Sequence, residues 1–176
     1  MSDAKKLSGA GLRGQSAGET ALSTVGVSGS GLTYRGYDVK DLAENATFEE
    51  VAYLILYGEL PTTAQLEAYK TKLKGMRGLP QALKEVLERI PASAHPMDVM
   101  RTGCSMLGNL ETEQSFAQQH DATDRLLAIF PGLINYWYNF SHKGQRIEVE
   151  TAADSIAEQF LWTLHGEKPT QLHTDV

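Results

Sequence analysis

Apolar residues recur at helical spacing through most of the chain from Thr47 onward. Two of these stretches open with a capping-box pattern, Thr47 with Glu50 and Thr62 with Gln65, in which side chains satisfy the free backbone N–H groups of a first helical turn. The run that follows the first box, residues 48–57, is apolar nearly all round. It therefore predicts a helix that is buried.

Five further helices are predicted from the same spacing, each with one apolar face turned toward a shared core. The first three faces are Leu66, Tyr69, Leu73 and Met76; Leu83, Val86, Leu87 and Ile90; and Met97, Met100, Cys104 and Leu107. Asp121 is expected to cap a long helix containing Pro131, which should kink it because proline lacks a backbone donor. The last helix opens at residues 151–154 and is predicted to turn these side chains inward: Ile156, Phe160, Leu161 and Leu164. Residues 109–120 are predicted as a loop, and one more helix begins near Thr170.

The N-terminal region differs in composition, because half of the 16 glycines lie in residues 1–36. Two short β-prone runs, 20–25 and 32–34, flank a turn-rich stretch and predict a small β-hairpin. The predicted fold class is therefore all-α with a small N-terminal β-hairpin. Residues 1–19 would form a flexible glycine-rich arm, and residues 20–176 would form the hairpin and the helical body.

Composition and charge narrow the possible functions. Apolar residues make up 41% and charged residues 22% of the chain, which is ordinary for a globular protein. The net charge of −6, without a strongly basic tract, argues against binding to nucleic acid or to an anionic membrane surface. The single cysteine cannot form an internal disulfide, and no apolar stretch is long enough to span a bilayer. We therefore expect a cytoplasmic protein that binds neither nucleic acid nor membrane.

The five histidines include no pair four residues apart, so no helical metal site is predicted. Four of them are expected to be structural or solvated: His95 as a helix cap, His165 in a last helical turn, and His120 and His142 in polar loops. His173 gives no prediction. Cys104 lies on a predicted apolar stripe and is expected in the core rather than as a nucleophile.

Positive charge gathers on and just after the second predicted helix, at Lys70, Lys72, Lys74 and Arg77. Two interpretations stay open. A charge run on an amphipathic helix is commonly a solvated face, whereas the functional alternative is contact with a carboxylate or a phosphorylated cofactor. The isolated Arg13 and Arg35 are open to the same two interpretations. The Gly-x-Gly-x-x-Gly pattern at residues 9–14 follows no predicted strand, so it carries little weight as a dinucleotide site.

Six segments of the chain resemble segments of the citrate synthase family, and they occur in the same order along the sequence. They are GLTYRGYD (31–38), FEEVAYL (48–54), YGELPT (57–62), HPMDVMRTG (95–103), YWYNFSH (136–142) and LHGEKP (164–169). The last two narrow the resemblance to the bacterial 2-methylcitrate synthase branch. Each segment alone is weak, but their common order across residues 12–173 makes the joint match specific.

The resemblance implies a mostly α-helical, two-domain homodimer that catalyses a Claisen-type condensation. Propionyl-CoA and oxaloacetate would give 2-methylcitrate and free CoA, with no bound cofactor beyond the CoA thioester substrate. Acetyl-CoA would be a lesser substrate, or the main one if the chain is of the plain citrate synthase type. In the family, a histidine and an aspartate enolise the thioester, and a second histidine polarises the ketone.

The chain departs from the family where those catalytic groups are expected. His-Glu-Phe-Asn, His-Gly-Gly-Ala-Asn and Gly-His-Pro segments do not occur in the 176 residues, and residues 157–159 are Ala-Glu-Gln where the family has Gly-Gly-His. No catalytic residue is therefore carried over, and the expectation is an N-terminal half with an incomplete fold that is inactive alone. Lys72 matches a family position for substrate contact and is the one predicted substrate-binding residue. An alternative is a non-catalytic helical interaction module that pairs with a synthase protomer.

Overall fold

The computed structural model describes residues 18–26 and 31–170, and it divides into two compact units, of which the first ends at Asn45. Most of the predicted glycine-rich arm of residues 1–19, and the predicted helix beyond Thr170, lie outside the described residues. Among the helices of the described part, none is long and apolar enough to cross a membrane.

The first unit contains a three-stranded antiparallel sheet and one short helix. The strands are β1 (Ser23–Val25), β2 (Leu32–Tyr34) and β3 (Tyr37–Asp38), in that order across the sheet, and α1 (Val39–Asn45) follows them. The predicted hairpin is confirmed, with Ser23 paired to Tyr34 and Val25 paired to Leu32. Strand β3 and helix α1 have no counterpart in the sequence prediction.

A two-residue turn joins β2 to β3. Arg35 and Gly36 both have positive φ, at 50° and 93°, and Tyr34 pairs with Tyr37 across them. Positive φ at both central positions matches the twist of a hairpin. Glycine adopts this conformation freely but arginine does not, so Arg-Gly is a weaker turn signal than Asn-Gly. This weak signal explains why β3 is absent from the sequence prediction.

The second unit is helical. Its helices are α2 (Phe48–Tyr57), α3 (Thr63–Lys74), α4 (Gln81–Leu87), α5 (Pro96–Leu110), α6 (Gln119–Lys143) and α7 (Ile156–His165), with a 3-10 helix at Phe116–Gln118. Each helix predicted from apolar spacing in the described part is present, and the fold class is confirmed. The predicted loop at 109–120 is shorter, because α5 and α6 both extend into it. Asp121 lies inside α6 and does not cap it.

Local side-chain chemistry sets where several helices begin. Thr47 and Glu50 form the predicted capping box, in which the Thr47 N–H donates to Glu50 Oε2 over 2.7 Å. Thr62 and Gln65 form the second box, with a matching distance of 2.8 Å. His95 caps α5 by accepting a backbone N–H on Nδ1 over 3.2 Å, which confirms its predicted role. These termini therefore depend on residues close in sequence.

Helix α6 is the central element of the second unit. Its buried face, which includes Leu133 and Trp137, packs against buried side chains of α4 and α5 and against Val149 in the segment after it. Gly132 permits the close approach of that segment, since a Cβ there would lie 3.1 Å from Val149 Cβ. The helix continues through Pro131, which is itself buried. The core of this unit is therefore built around one long helix.

The prediction that α2 is buried is wrong. Only Glu49 and Leu54 are buried along this helix, and Phe48 is 54% exposed. The apolar residues of α2 lie on all sides of the helix, so their spacing does not indicate which face packs against the core. The face that does pack carries Tyr53 and Tyr57, whose rings contact Tyr69 of α3.

Helix α5 buries Leu107 as predicted, but the rest of its buried stripe differs from the predicted one. Val99, Gly103 and Leu107 face the core, whereas Met97 is 68% exposed. Cys104 and Met100, also on the predicted stripe, are half-buried. A glycine contributes no apolar side chain to a sequence pattern, so the contact at Gly103 leaves no periodic signal.

Helix α7 buries two polar side chains that the sequence did not predict, and the predicted apolar face is met only in part. Ile156 packs against a buried cluster, whereas Leu161 and Leu164 are half-buried. Gln159 and Thr163 are buried, and Phe160 lies at the surface. The reason lies in α6, which presents Asn135 and Asn139 at this contact, and both amides donate hydrogen bonds to Thr163. Buried amides require polar partners, so the polar face of α7 packs inward.

Replacing Gly103 with alanine should destabilise the protein. An added Cβ would lie 2.5 Å from Cδ1 of Leu133, which is fully buried and cannot move aside without disturbing the core. We expect Gly103→Ala to lower the free energy of unfolding by roughly 1–3 kcal/mol, measured by urea denaturation. Gly108→Ala on the same helix is the matched control, because its Cβ would meet nothing within 4 Å. That variant should gain about 0.5–1 kcal/mol from helix propensity, and equal effects at both sites would contradict the packing described here.

Candidate functional site

A buried carboxylate lies where α2, α3 and α6 meet. Asp124 is 0% exposed. It accepts hydrogen bonds from the Tyr57 hydroxyl (2.8 Å), the Tyr69 hydroxyl (2.9 Å) and the Lys72 amine (2.7 Å). Lys72 also donates to Oδ1 of Asp121 over 2.8 Å. These five residues form what we call the Asp124 cluster.

Helical spacing explains how the Asp124 cluster assembles. Tyr69 and Lys72 are three residues apart on α3, and Asp121 and Asp124 are three apart on α6, so each pair shares one helix face. Tyr57 is the last residue of α2, where the chain turns at Gly58. Three helices are thus joined through a single carboxylate.

Contacts within the Asp124 cluster shift the pKa values of Tyr57, Tyr69, Lys72 and Asp121 away from neutrality. Burial, and then the hydrogen bond to Asp124, raises the pKa of Tyr57 to about 12 and raises that of Tyr69 further. Burial alone would lower the pKa of Lys72, but its hydrogen bonds to Asp121 and Asp124 outweigh burial and raise it. The Lys72 ammonium in turn lowers the pKa of Asp121. An efficient general acid or base titrates near the working pH, so this arrangement favours fixed charges over proton transfer.

Aromatic rings enclose the Asp124 cluster on one side. Tyr53 lies 4.5 Å from Tyr57 and 5.4 Å from Tyr69 between ring centroids, the latter edge-on. His120, in the first turn of α6, stacks on Tyr57 at 5.3 Å. The hydrogen bond from Tyr69 to Asp124 is buried, and a hydrogen bond away from water is electrostatically stronger.

Lys72, the predicted substrate-binding residue, lies at the outer edge of this cluster. Its side chain is 35% exposed, and its amine is shared between a buried carboxylate and the largely exposed Asp121. An ammonium held between two carboxylates presents no net positive charge to an anionic ligand. A substrate contact would require Lys72 to exchange Asp121 for the ligand, and that contact stays a prediction.

The other basic residues of the predicted group hold residues 152–156, the segment that leads into α7. Lys74 donates to the Ala152 carbonyl (2.9 Å), and Arg77 donates to the carbonyls of Ala153 (2.6 Å) and Ser155 (3.2 Å). Lys70 pairs with the Asp154 carboxylate (2.7 Å). Helix α2 adds one contact, in which the Ile156 N–H donates to the Glu49 carboxylate (2.7 Å). We call this set the 152–156 clamp. Arg77 is buried, so the solvated-face interpretation is wrong for it. The anion that Lys70 contacts belongs to the chain itself.

The histidines are dispersed over the fold. His120 and His142 lie in the first and last turns of α6 rather than in loops, so that part of their prediction is wrong, although both are exposed. His165 lies in the last turn of α7, as predicted. Within the described residues no two imidazoles contact each other, and no group of three possible metal ligands occurs. His173, like Arg13 and residues 9–14, lies outside the described residues.

Cys104 borders a cavity of about 310 Å³ between α5 and α6. The cavity is also bounded by Leu107, Arg125 and Glu111, and Arg125 grips Glu111 through Nε (2.9 Å) and a terminal nitrogen (2.7 Å). Cys104 is half-buried, so the prediction of a core position is met only in part. Among the residues that the structure describes, no histidine lines the cavity, and the Glu111 carboxylate is paired with Arg125, so neither supplies the usual base of a thiol nucleophile.

Sequence reasoning did not find Asp124, Tyr57 or Tyr69 as members of a polar site. Tyr57 and Tyr69 were counted as apolar positions of α2 and α3. Asp124 falls among the apolar positions of α6, and an acidic residue at such a position is the one signal that pointed to a buried, paired carboxylate. Its partners are more than 50 residues away in sequence, beyond the reach of any local pattern.

The helical fold and the order of its elements match a known class of enzyme. The family described as "Citrate synthase, C-terminal domain" matches residues 11–176. The chain therefore belongs to the citrate synthase family, which is a family of transferases, and the resemblance seen in the sequence is confirmed.

One curated relative is similar to this chain over the whole length of the chain. The chain is 81% identical, over all of its 176 residues, to the 2-methylcitrate synthase of Shewanella oneidensis, and it covers 47% of that protein. The chain thus spans about half the length of this curated relative.

Solved structures show the same fold. The citrate synthase of Thermotoga maritima superimposes with a TM-score of 0.77 at 29% identity, over 94% of this chain and 43% of that one. A citrate synthase of Thermoplasma acidophilum, in ternary complex with carboxymethyl coenzyme A and oxaloacetate, superimposes with a TM-score of 0.80 at 25% identity. The match covers 91% of this chain and 42% of that one.

Removing the Lys72 ammonium should destabilise the protein more than removing that of Lys74. Lys72→Met leaves the buried Asp124 carboxylate with two hydroxyl donors and no counter-charge, whereas Lys74→Met loses one hydrogen bond from an exposed side chain to a carbonyl. We expect urea denaturation to show a loss of roughly 1–3 kcal/mol for Lys72→Met and under about 1 kcal/mol for Lys74→Met. A larger loss at Lys74 would mean that the Asp124 cluster is not the stronger contact.

Tyr57 should titrate late, and its ionisation should weaken the fold. Its pKa rises from the ordinary value of 10.0 to about 12, so the folded state favours the neutral phenol. The stabilisation is fully present below pH 10 and is lost as the pH rises through about 12. Tyrosinate absorbance after a rapid pH jump, taken as the difference between the parent and Tyr57→Phe, should give this midpoint. Asp124→Asn should lower it, because the carboxylate no longer opposes the phenolate; a midpoint near 10 in the parent would refute the burial and hydrogen bonding proposed for Tyr57.

Proposed function

We propose that this chain supplies the helical framework of a 2-methylcitrate synthase. The reaction condenses the α-carbon of propionyl-CoA with the ketone carbon of oxaloacetate, and water then cleaves the thioester to release 2-methylcitrate and CoA. The identity of 81% over the whole chain to the Shewanella oneidensis enzyme carries this proposal. The Thermoplasma acidophilum relative, bound to a CoA analogue and oxaloacetate, supports a CoA thioester and oxaloacetate as the substrate class.

The residues of this chain act on the reaction through position rather than through proton transfer. The Asp124 cluster fixes α2 and α3 on α6, and the 152–156 clamp fixes the start of α7. Enolisation of a thioester requires an acid and a base that titrate near neutral pH. The resolved pKa shifts of the cluster run the other way, which supports a framework role for these residues.

The proposal includes assembly as a homodimer and a cytoplasmic location, as the family resemblance implies.

The isolated chain should release no CoA from propionyl-CoA and oxaloacetate above a buffer control. The chain lacks the family's histidine motifs, and the histidines in its described part do not meet. A thiol-release assay checks this, with acetyl-CoA as the comparison substrate.

A chimeric enzyme that is expected to be active provides the positive control of the same assay. In it, this chain replaces the stretch that it matches in the Shewanella oneidensis enzyme, and we expect it to release CoA faster from propionyl-CoA than from acetyl-CoA. Turnover by the isolated chain would overturn the framework role. A folded chimera without activity would overturn the proposed function.

A further inference from the structure

Hydrogen bonds hold helix α7 against α6, and Ile156 adds an apolar contact with the buried cluster that includes Ala128 of α6. Asn135 Nδ2 donates to Thr163 Oγ1 over 2.8 Å, and Asn139 Nδ2 donates to the Thr163 carbonyl over 3.1 Å. Gln159 Nε2 donates to the carbonyl of Val149 over 3.0 Å. Thr163 is 3% exposed and Gln159 is 0% exposed, so two of the inward residues of this helix are polar.

The opposite side of α7 carries the apolar residues. Ala157, Phe160, Leu161 and Leu164 stand at positions i, i+3, i+4 and i+7, which places them on one face. Phe160 is 38% exposed, Ala157 is exposed, and both leucines are half-buried. The helix therefore has the spacing of an element that packs through this face, although that face is only partly covered.

The outer face of α7 is apolar and only partly covered, so a second layer of protein would bury it further. Burial of apolar surface is favourable, which makes such a layer stabilising. The 152–156 clamp and the amides of α6 hold α7 in this orientation, which keeps the apolar face turned outward. An i, i+3, i+4, i+7 face is the usual anchor pattern for docking against further protein.

We propose that the outer face of α7 docks against the polypeptide that citrate synthase relatives possess beyond the stretch matched by this chain. This inference rests on the proposed function, because it treats the chain as the framework of a longer enzyme. The chain accounts for 47% of the Shewanella oneidensis protein and 43% of the Thermotoga maritima structure, so each relative carries more than this length again to cover such a face. The face is uncharged, which suits a protein interior rather than a charged substrate.

Melting temperatures of the isolated chain and of the chimera test this docking. Phe160→Asp should lower the melting temperature of the chimera by roughly 5–10 °C, because a carboxylate replaces a ring that the added polypeptide buries. In the isolated chain, where the ring is partly exposed, the same change should have less than half of that effect. Phe160→Leu should restore most of the loss in the chimera. Ala68→Asp, at an exposed position of α3, is the matched control for adding a carboxylate to a helix.

Each outcome decides for or against the proposal. Equal shifts for Phe160→Asp in both proteins, or equal shifts for Phe160→Asp and Ala68→Asp in the chimera, would overturn it. An isolated chain that dimerises in light scattering, and that Phe160→Asp converts to a monomer, would also overturn it, because a second copy would then be the occupant. If the isolated chain shows no melting transition, the melting temperatures of the Phe160→Asp, Phe160→Leu and Ala68→Asp variants of the chimera test the docking by themselves. CoA release is measured separately, so an inactive chimera with the expected melting pattern would support the docking while contradicting the proposed function.

Discussion

The burial of the Asp124 carboxylate constrains how the helices of the second unit can pack. An isolated buried carboxylate would cost more than the whole net stability of an ordinary domain, so Asp124 must have its donors in place at the same time. Tyr57 brings α2, and Tyr69 and Lys72 bring α3. A shift of either helix along α6 would leave a charge or a hydroxyl group unpaired. The apolar contacts around the cluster tolerate small shifts, but these hydrogen bonds do not, and they fix the register of the three helices.

Helix α3 contacts both α6 and the segment before α7 because its polar side chains point in two directions. Lys72 reaches α6, while Lys70 and Lys74 reach the segment before α7. Just beyond the helix, Arg77 is buried against carbonyls of the same segment and places its charge near Glu49. Positive charges that look like a ligand site in the sequence are thus used to hold the chain to itself. The number of charged residues on a helix says little about binding until their internal partners are known.

Sequence patterns predict the helices of this fold well and the contacts between them poorly. Capping boxes at Thr47 and Thr62 involve residues three apart, so they are readable from the chain. The bond from Ile156 to Glu49 joins residues 107 apart, and no periodicity anticipates it. Apolar spacing misassigned α7 because amides on α6 decided which face packs inward, and that choice depends on a neighbour rather than on the helix. For the same reason, a lysine-rich helix could be predicted, whereas the carboxylate that binds Lys72 could not.

A division between framework and reactive groups follows from the same electrostatics. Side chains that lock helices together do so best when their charge does not change near neutral pH, and the partners of Tyr57, Lys72 and Asp121 shift their pKa values away from that range. A condensation that moves protons at neutral pH needs the opposite condition. For Tyr57, Lys72 and Asp121, the hydrogen bonds that hold the side chain in place also help to move its pKa away from neutral pH. An element such as α7, hydrogen-bonded to α6 and bearing a partly exposed apolar face, has the form needed to join this network to further protein.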